Sequence, residues 1–172
     1  THLGHSFPTR RSSDLVGTGS HDVVVEGVVV PEEWTFVRGG PSSLDEPFFR
    51  YPSLSFATQV LSVVGLGVAR AALDELSGMA SGRISVTGAP SLSDRPLAQV
   101  EMAKAEASLR AARSWFYQSI DDAWASVLAG DPVSVEQTNM LRLSSTHATR
   151  VAADVARTAQ MLSGDRKSTR LN

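Results

Sequence analysis

The chain has 172 residues, of which 42% are apolar and 20% charged, and a formal net charge of −2. These values describe a globular domain with a sizeable core and exclude a disordered or collagen-like chain. There is no cysteine, which excludes a disulfide framework and any thiolate metal site. No uninterrupted apolar run reaches the length that crosses a bilayer, so no membrane partner is expected.

The two ends read differently from the interior. Residues 6–15 (SFPTRRSSDL) and 165–172 (DRKSTRLN) match conceptual translations of two opposed sequencing-library adapters. Residues 1–15 and 165–172 are therefore set aside from fold reasoning. They hold five of the 16 basic residues and two of the 18 acidic ones, which leaves about −5 on 16–164. That sign argues against nucleic acid as a partner. On this reading the chain is cut at both ends, and a missing catalytic group says nothing against an enzyme.

In chain order, 23–30 is β-branched and strand-like, with Gly27 as a candidate bulge and Pro31 as its stop. One strand cannot be stable alone, so 16–38 is expected to be the end of a missing β-domain. Residues 32–53 combine turn formers with Trp34, Phe36, Phe48, Phe49 and Tyr51. A solvated linker would not use so many aromatics. The 39–53 linker is expected to pack on the helices or across a pocket mouth, with Phe48, Phe49 and Tyr51 as pocket candidates.

Residues 54–79 read as the first long helix, with Phe56, Val60, Val63, Val64, Val68, Leu73 and Leu76 as its apolar face. Gly65 and Gly67 lower its helix propensity and point to close approach of a neighbouring backbone or a flat ligand. Arg83 stands in the glycine-bounded loop that follows. Residues 95–129 repeat small or apolar residues at Ala105, Leu109, Ala112, Phe116, Ile120, Ala123 and Val127, a helical face roughly 50 Å long. Pro96 suits its first turn and Gly130 its C-terminal cap. Glu106 and Arg110 make a favourable i,i+4 pair on a solvated side. Ser134 and Gln137 match a capping box. It opens a third helix to about 162, with Leu141, Ser144, Ser145, Ala148, Ala152, Val155, Ala156 and Ala159 on one face. Three such helices imply a mainly α fold: an incomplete antiparallel four-helix bundle over 54–164, with the longest helix between the others.

Isolated chemistry is sparse. His147 reads as a surface or structural histidine, and His21 as a turn-capping one. Asp121–Asp122 and Asp74–Glu75 are neighbours that point apart on a helix. No histidine and carboxylate set has metal-ligand spacing, so no metal is expected.

The order of segments carries more. GTGSHDVVVEGVVVPEEW, the aromatic loop, VVGLGVARAALDEL and DRPLAQVEMAKAEASLRAARSWFYQSIDDAW together resemble the acyl-CoA dehydrogenase superfamily, in particular its type-2 C-terminal domain, common in two-component flavin-dependent monooxygenases. The resemblance covers nearly all of 16–164. It implies a flavin cofactor (FMN or FAD), a cytoplasmic homotetramer formed through the bundle, and a separate flavin reductase as a candidate partner. It also implies that Arg83 contacts the flavin phosphate of a neighbouring subunit. The catalytic residues would lie beyond Gly164 or in the missing N-terminal part. Three functions stay open. One is a monooxygenase of an aromatic or heteroatom substrate, favoured by the type-2 likeness. Another is a dehydrogenase of acyl thioesters: the resemblance implies a carboxylate base either near the start of the first helix, where 54–73 has none, or beyond residue 164, so only the first arrangement is excluded. The last is a helical oligomerisation module without chemistry.

Overall fold

The structure is a computed structural model that describes residues 24–37, 40, 42–80 and 91–164. Contacts divide the chain into two units, Thr1–Arg38 and Gly39–Asn172. Residues 1–15, 165–172 and the loop with Arg83 lie outside the described residues, as does His21.

In the first unit, 24–30 carries no strand. A strand is defined by a ladder to a partner, and none is present among the described residues. Gly27 bends the segment at φ +66. A single 3-10 turn, Glu32–Trp34, follows Pro31 and is closed by Thr35 Oγ1 and N, both donating to the Glu32 carbonyl. Within this unit Trp34 and Phe36 are exposed.

Among the described residues the second unit contains one short helix, α1 (Pro47–Arg50), a 3-10 turn at Leu92–Asp94, and three long helices: α2 (Ser53–Ala80), α3 (Pro96–Ala129) and α4 (Val135–Ser163). The long helices fall where the periodicity puts them. Pro96 sits in the first turn of α3. Gly130 ends it at φ +85, with Gly130 N and Asp131 N donating to the Val127 and Ser126 carbonyls, a Schellman arrangement. The α4 capping box forms with Ser134 and Gln137. Gln137 Nε2 also donates to Ser126 Oγ (2.8 Å) and to the Asp122 carbonyl (3.1 Å), tying the start of α4 to the end of α3.

Contacts define the directions. Gln137 meets Ser126, Ser119 meets Ser144 (2.7 Å), and Trp115 meets His147, so α3 and α4 are antiparallel. Thr149 reaches Ser62 (3.2 Å) and Ala152 faces Gly65, so α2 and α4 run parallel. The middle place belongs to α4, not to the longest helix: α2 and α3 both pack on α4 and touch each other little. The reason is side-chain size. The buried face of α4 is Leu141, Ser144, Ser145, Ala148, Ala152, Val155 and Ala159. A face of small residues admits neighbours on both flanks at short interaxial distance.

The α3 face agrees with the sequence, apart from half-buried Ile120 and the added Ala98 and Ser119. The α2 face does not. Its buried stripe is Ser55, Gln59, Ser62, Leu66, Ala69, Leu73, Leu76 and Ala80, while Phe56, Val60, Val63, Val64 and Val68 are exposed. The upper two thirds of α2 is apolar nearly all round, so its period fixes the helix but not which side faces α4. For the same reason α2 is, among the described helices, long and apolar enough to cross a bilayer by length and composition, although Ser55, Thr58, Gln59, Ser62 and Arg70 interrupt its apolar run, as the sequence reading has it.

The two mid-helix glycines separate. A Cβ on Gly65 would stand 3.3 Å from Ala152 Cβ, so this glycine permits the α2–α4 approach; a Cβ on Gly67 would meet nothing within 4 Å. Gly67→Ala should therefore gain about 0.5–1 kcal/mol from helix propensity. Gly65→Ala should gain clearly less, because Ala152 must yield. Urea unfolding of both variants checks this, and equal gains would refute the close contact.

Candidate functional site

Because α2 and α3 diverge, a gap opens between them near α1. It is a pocket of about 310 Å³. Phe48 of α1 and Tyr51 just after it form one wall. Phe56, Gln59, Val60 and Val63 come from α2, and Phe116, Tyr117, Ile120 and Trp124 from α3. Almost no polar atom is exposed on the lining. The α3 contribution is one stripe, since 116, 117, 120 and 124 repeat at helical spacing.

The aromatic groups hold one another. Phe48 packs edge-on against Phe49 (5.7 Å) and Phe56 (5.4 Å). Phe116 meets Tyr117 edge-on at 5.3 Å, and Tyr51 lies 6.2 Å from Trp124. Gln59 Nε2 donates to the Tyr51 hydroxyl at 2.8 Å. Both residues are buried, so the pair satisfies two polar groups that would otherwise be costly. Burial pushes the Tyr51 phenol up from its usual pKa, against a smaller opposing effect of the Gln59 hydrogen bond. The phenol is therefore neutral at physiological pH.

Of the residues singled out from sequence, Phe48 and Tyr51 meet at this pocket. Phe49 supports Phe48 from behind and does not line it. Arg83 lies outside the described residues. His147 is exposed, with its ring 5.5 Å from Trp115. The α2 and α3 walls were not legible as a site, although Gln59 signals one: it is the lone amide in an apolar helical run.

Beyond the pocket the gap is bridged by charge. Arg70 of α2 reaches Glu106 of α3 at 2.6 Å and Asp74 at 2.8 Å, and Arg110 reaches Glu106 at 2.6 Å. Glu106 thus joins two helices rather than lying on a purely solvated side. Hydrogen bonds from Arg110 and then Arg70 hold its carboxyl below the usual range. No group of three or more histidine, aspartate or glutamate residues is placed for a metal among the described residues.

The second unit is an open-sided helical bundle domain with a nearly apolar, aromatic-walled pocket between two of its helices. The chain belongs to the family described as acyl-CoA dehydrogenase, C-terminal domain, whose sequence model matches residues 59–169. It is 81% identical over 150 residues to an indole-3-acetate monooxygenase of Pseudomonas putida, and 56% identical over 150 residues to an indole-3-acetate monooxygenase of Acinetobacter baumannii. Each match covers 87% of this chain and 39% of the relative, so the chain spans well under half the length of the curated relatives it matches.

Proposed function

We propose that this chain forms part of a flavin-dependent monooxygenase acting on an aryl acid of the indole-3-acetate kind. The observation that carries the reading is the aromatic-walled pocket, in a chain so close to two proteins of that name. A pocket of this size and polarity suits the face of a planar ring. Edge and face contacts from Phe116, Tyr117 and Trp124 orient the ring. The reading as a dehydrogenase needs a carboxylate base at the reacting carbon, and no carboxylate lines the pocket among the described residues.

The flavin, FMN or FAD, would supply the electrons that activate oxygen. The pocket wall suits a ring system but offers no cation to a phosphate. We assign that contact to Arg83, reaching a neighbouring subunit, since a guanidinium binds phosphate through two parallel N–H bonds. The exposed apolar side of α2 supports an oligomer, with a tetramer as the expected form. A separate reductase would deliver the reduced flavin. The protein would be cytoplasmic, with neither nucleic acid nor membrane as a partner.

The test is flavin titration of the gene product that carries this chain, followed by oxygen-dependent turnover of indole-3-acetate with reduced flavin. One oxygen atom should enter the product. Arg83→Ala should weaken flavin binding roughly ten- to a hundredfold, and Arg83→Lys should recover part. Equal affinity in all three proteins would remove Arg83 from the site. No flavin binding by the unaltered protein would instead leave a helical oligomerisation module.

A further inference from the structure

The pocket lining presents a chemical problem for an aryl acid. It accommodates the ring, but it shows almost no polar surface and contains no cation. A carboxylate left inside it would be desolvated without a partner, at a cost that no ring contact offsets. The acid group therefore belongs at the open side of the pocket, where a rim that offers positive charge can hold it.

One rim does so. On α3 the pocket-facing stripe of Phe116, Tyr117, Ile120 and Trp124 continues one turn toward the N-terminus to Arg113, at i−4 from Tyr117. The Arg113 guanidinium carbon lies 5.0 Å from the centroid of the Tyr117 ring, and that ring lines the pocket. Tyr117 is thus shared between the apolar pocket and a polar groove that holds Arg113. Ion pairing separates Arg113 from the other cations of these two helices. Arg70 is bound to Glu106 and Asp74, Arg110 to Glu106, and Lys104 to Glu101. Among the described residues, Arg113 has no carboxylate partner. Asp121 and Asp122 line the same groove, but Asp121 lies one turn beyond Tyr117 on the opposite side. The groove therefore has a positive and a negative end, and only the Arg113 end admits an anion.

We propose that Arg113 binds the substrate carboxylate while the ring sits in the aromatic pocket, and so selects aryl acids over neutral arenes. The assignment rests on the reading of this pocket as the substrate site of a monooxygenase. The separation suits it: one helical turn is about 5.4 Å, a span shared between an acetate arm and the flexible arginine. The cation–π contact with Tyr117 holds the guanidinium at the rim in the free protein, which lowers the ordering cost when a carboxylate arrives.

The experiment compares indole-3-acetate with indole, the same ring without the acid, on the gene product carrying this chain. Binding is measured by calorimetry and turnover separately, for the unaltered protein, Arg113→Gln and Arg113→Lys. In Arg113→Gln, the dissociation constant and KM for indole-3-acetate should rise roughly ten- to a hundredfold, with kcat changed less than about twofold. The values for indole should not move. Arg113→Lys should fall between, because a point charge lacks the planar fork. A melting curve for each variant checks that the fold is intact. Unchanged indole-3-acetate binding in Arg113→Gln would overturn the assignment, as would an equal loss for both ligands or no binding of indole-3-acetate by the unaltered protein. Arg113-dependent binding without any oxygenation would leave the assignment standing and reject the monooxygenase reading instead. Oxygenation that ignores Arg113 would do the reverse.

Discussion

Phe116→Ala should destabilise the chain by about 3–5 kcal/mol in urea unfolding, the largest loss expected of any single truncation. Phe116 is the largest fully buried side chain, 1% exposed, and it belongs to the main core with Leu66, Leu73, Leu109 and Ala148. It is also part of the pocket lining. Removing the ring would merge the new void with the pocket, and a space walled by Tyr117, Ile120 and Trp124 cannot collapse without moving α2. Cost rises with residual cavity volume, so the upper part of the range applies. A loss below about 1 kcal/mol would show that the ring is not packed as described.

Leu141→Ala is the companion case, with an expected loss of about 2–5 kcal/mol. Leu141 has no exposed surface and packs with Tyr51, Ala123 and Val127 in a second cluster, near the α3–α4 turn. It does not line the pocket. In conditions where both variants remain folded, Leu141→Ala should change the affinity for an aromatic ligand less than Phe116→Ala, since it reaches the pocket only through wall residues such as Tyr51. If Leu141→Ala changed ligand affinity as much as Phe116→Ala, Phe116 would not be a direct part of the ligand's wall.

Which parts of this arrangement could be read from sequence depends on how many faces each helix has. On α3 and α4 one small or apolar stripe keeps an unbroken helical period, even though Trp115, Leu128 and Leu143 lie outside it, so the buried face, the capping box at Ser134 and the glycine at 130 all followed from spacing. On α2, Val60, Val63, Val64 and Val68 outrank Ser55, Gln59 and Ser62 in hydrophobicity, yet the polar set is buried, with Ser62 against α4 and Gln59 against Tyr51. Its hydroxyls are satisfied locally or across the interface, Ser62 by the Thr58 carbonyl (2.8 Å) and by Thr149, and its small size matches the small residues opposite. Hydrophobicity alone does not see that match.

The candidate site divides in the same way. Phe48 and Tyr51 were legible because aromatics in a turn-rich segment need an explanation. Phe116 and Ile120 were read only as core, because a pocket wall and a core have the same periodicity. Arg113 gave no signal at all: its meaning depends on which neighbouring cations are already ion-paired, and the Arg70–Glu106 bridge joins residues 36 apart in the chain. The strand expected near 24–30 depended on partners that the described residues do not contain.

The central place of α4 bears on the order of assembly. The α3–α4 interface is local, closed by the short turn around Gly130 and pinned beside that turn by Gln137. Such a hairpin pays little loop entropy and can form early. The α2–α4 interface joins segments nearly 90 residues apart, as Ser62 and Thr149 show. Since α2 leans only lightly on α3, it can depart while the hairpin survives. The bundle thus contains an inner unit and a detachable one, and the pocket, which takes four of its ten lining residues from α2, exists only in the last state to form.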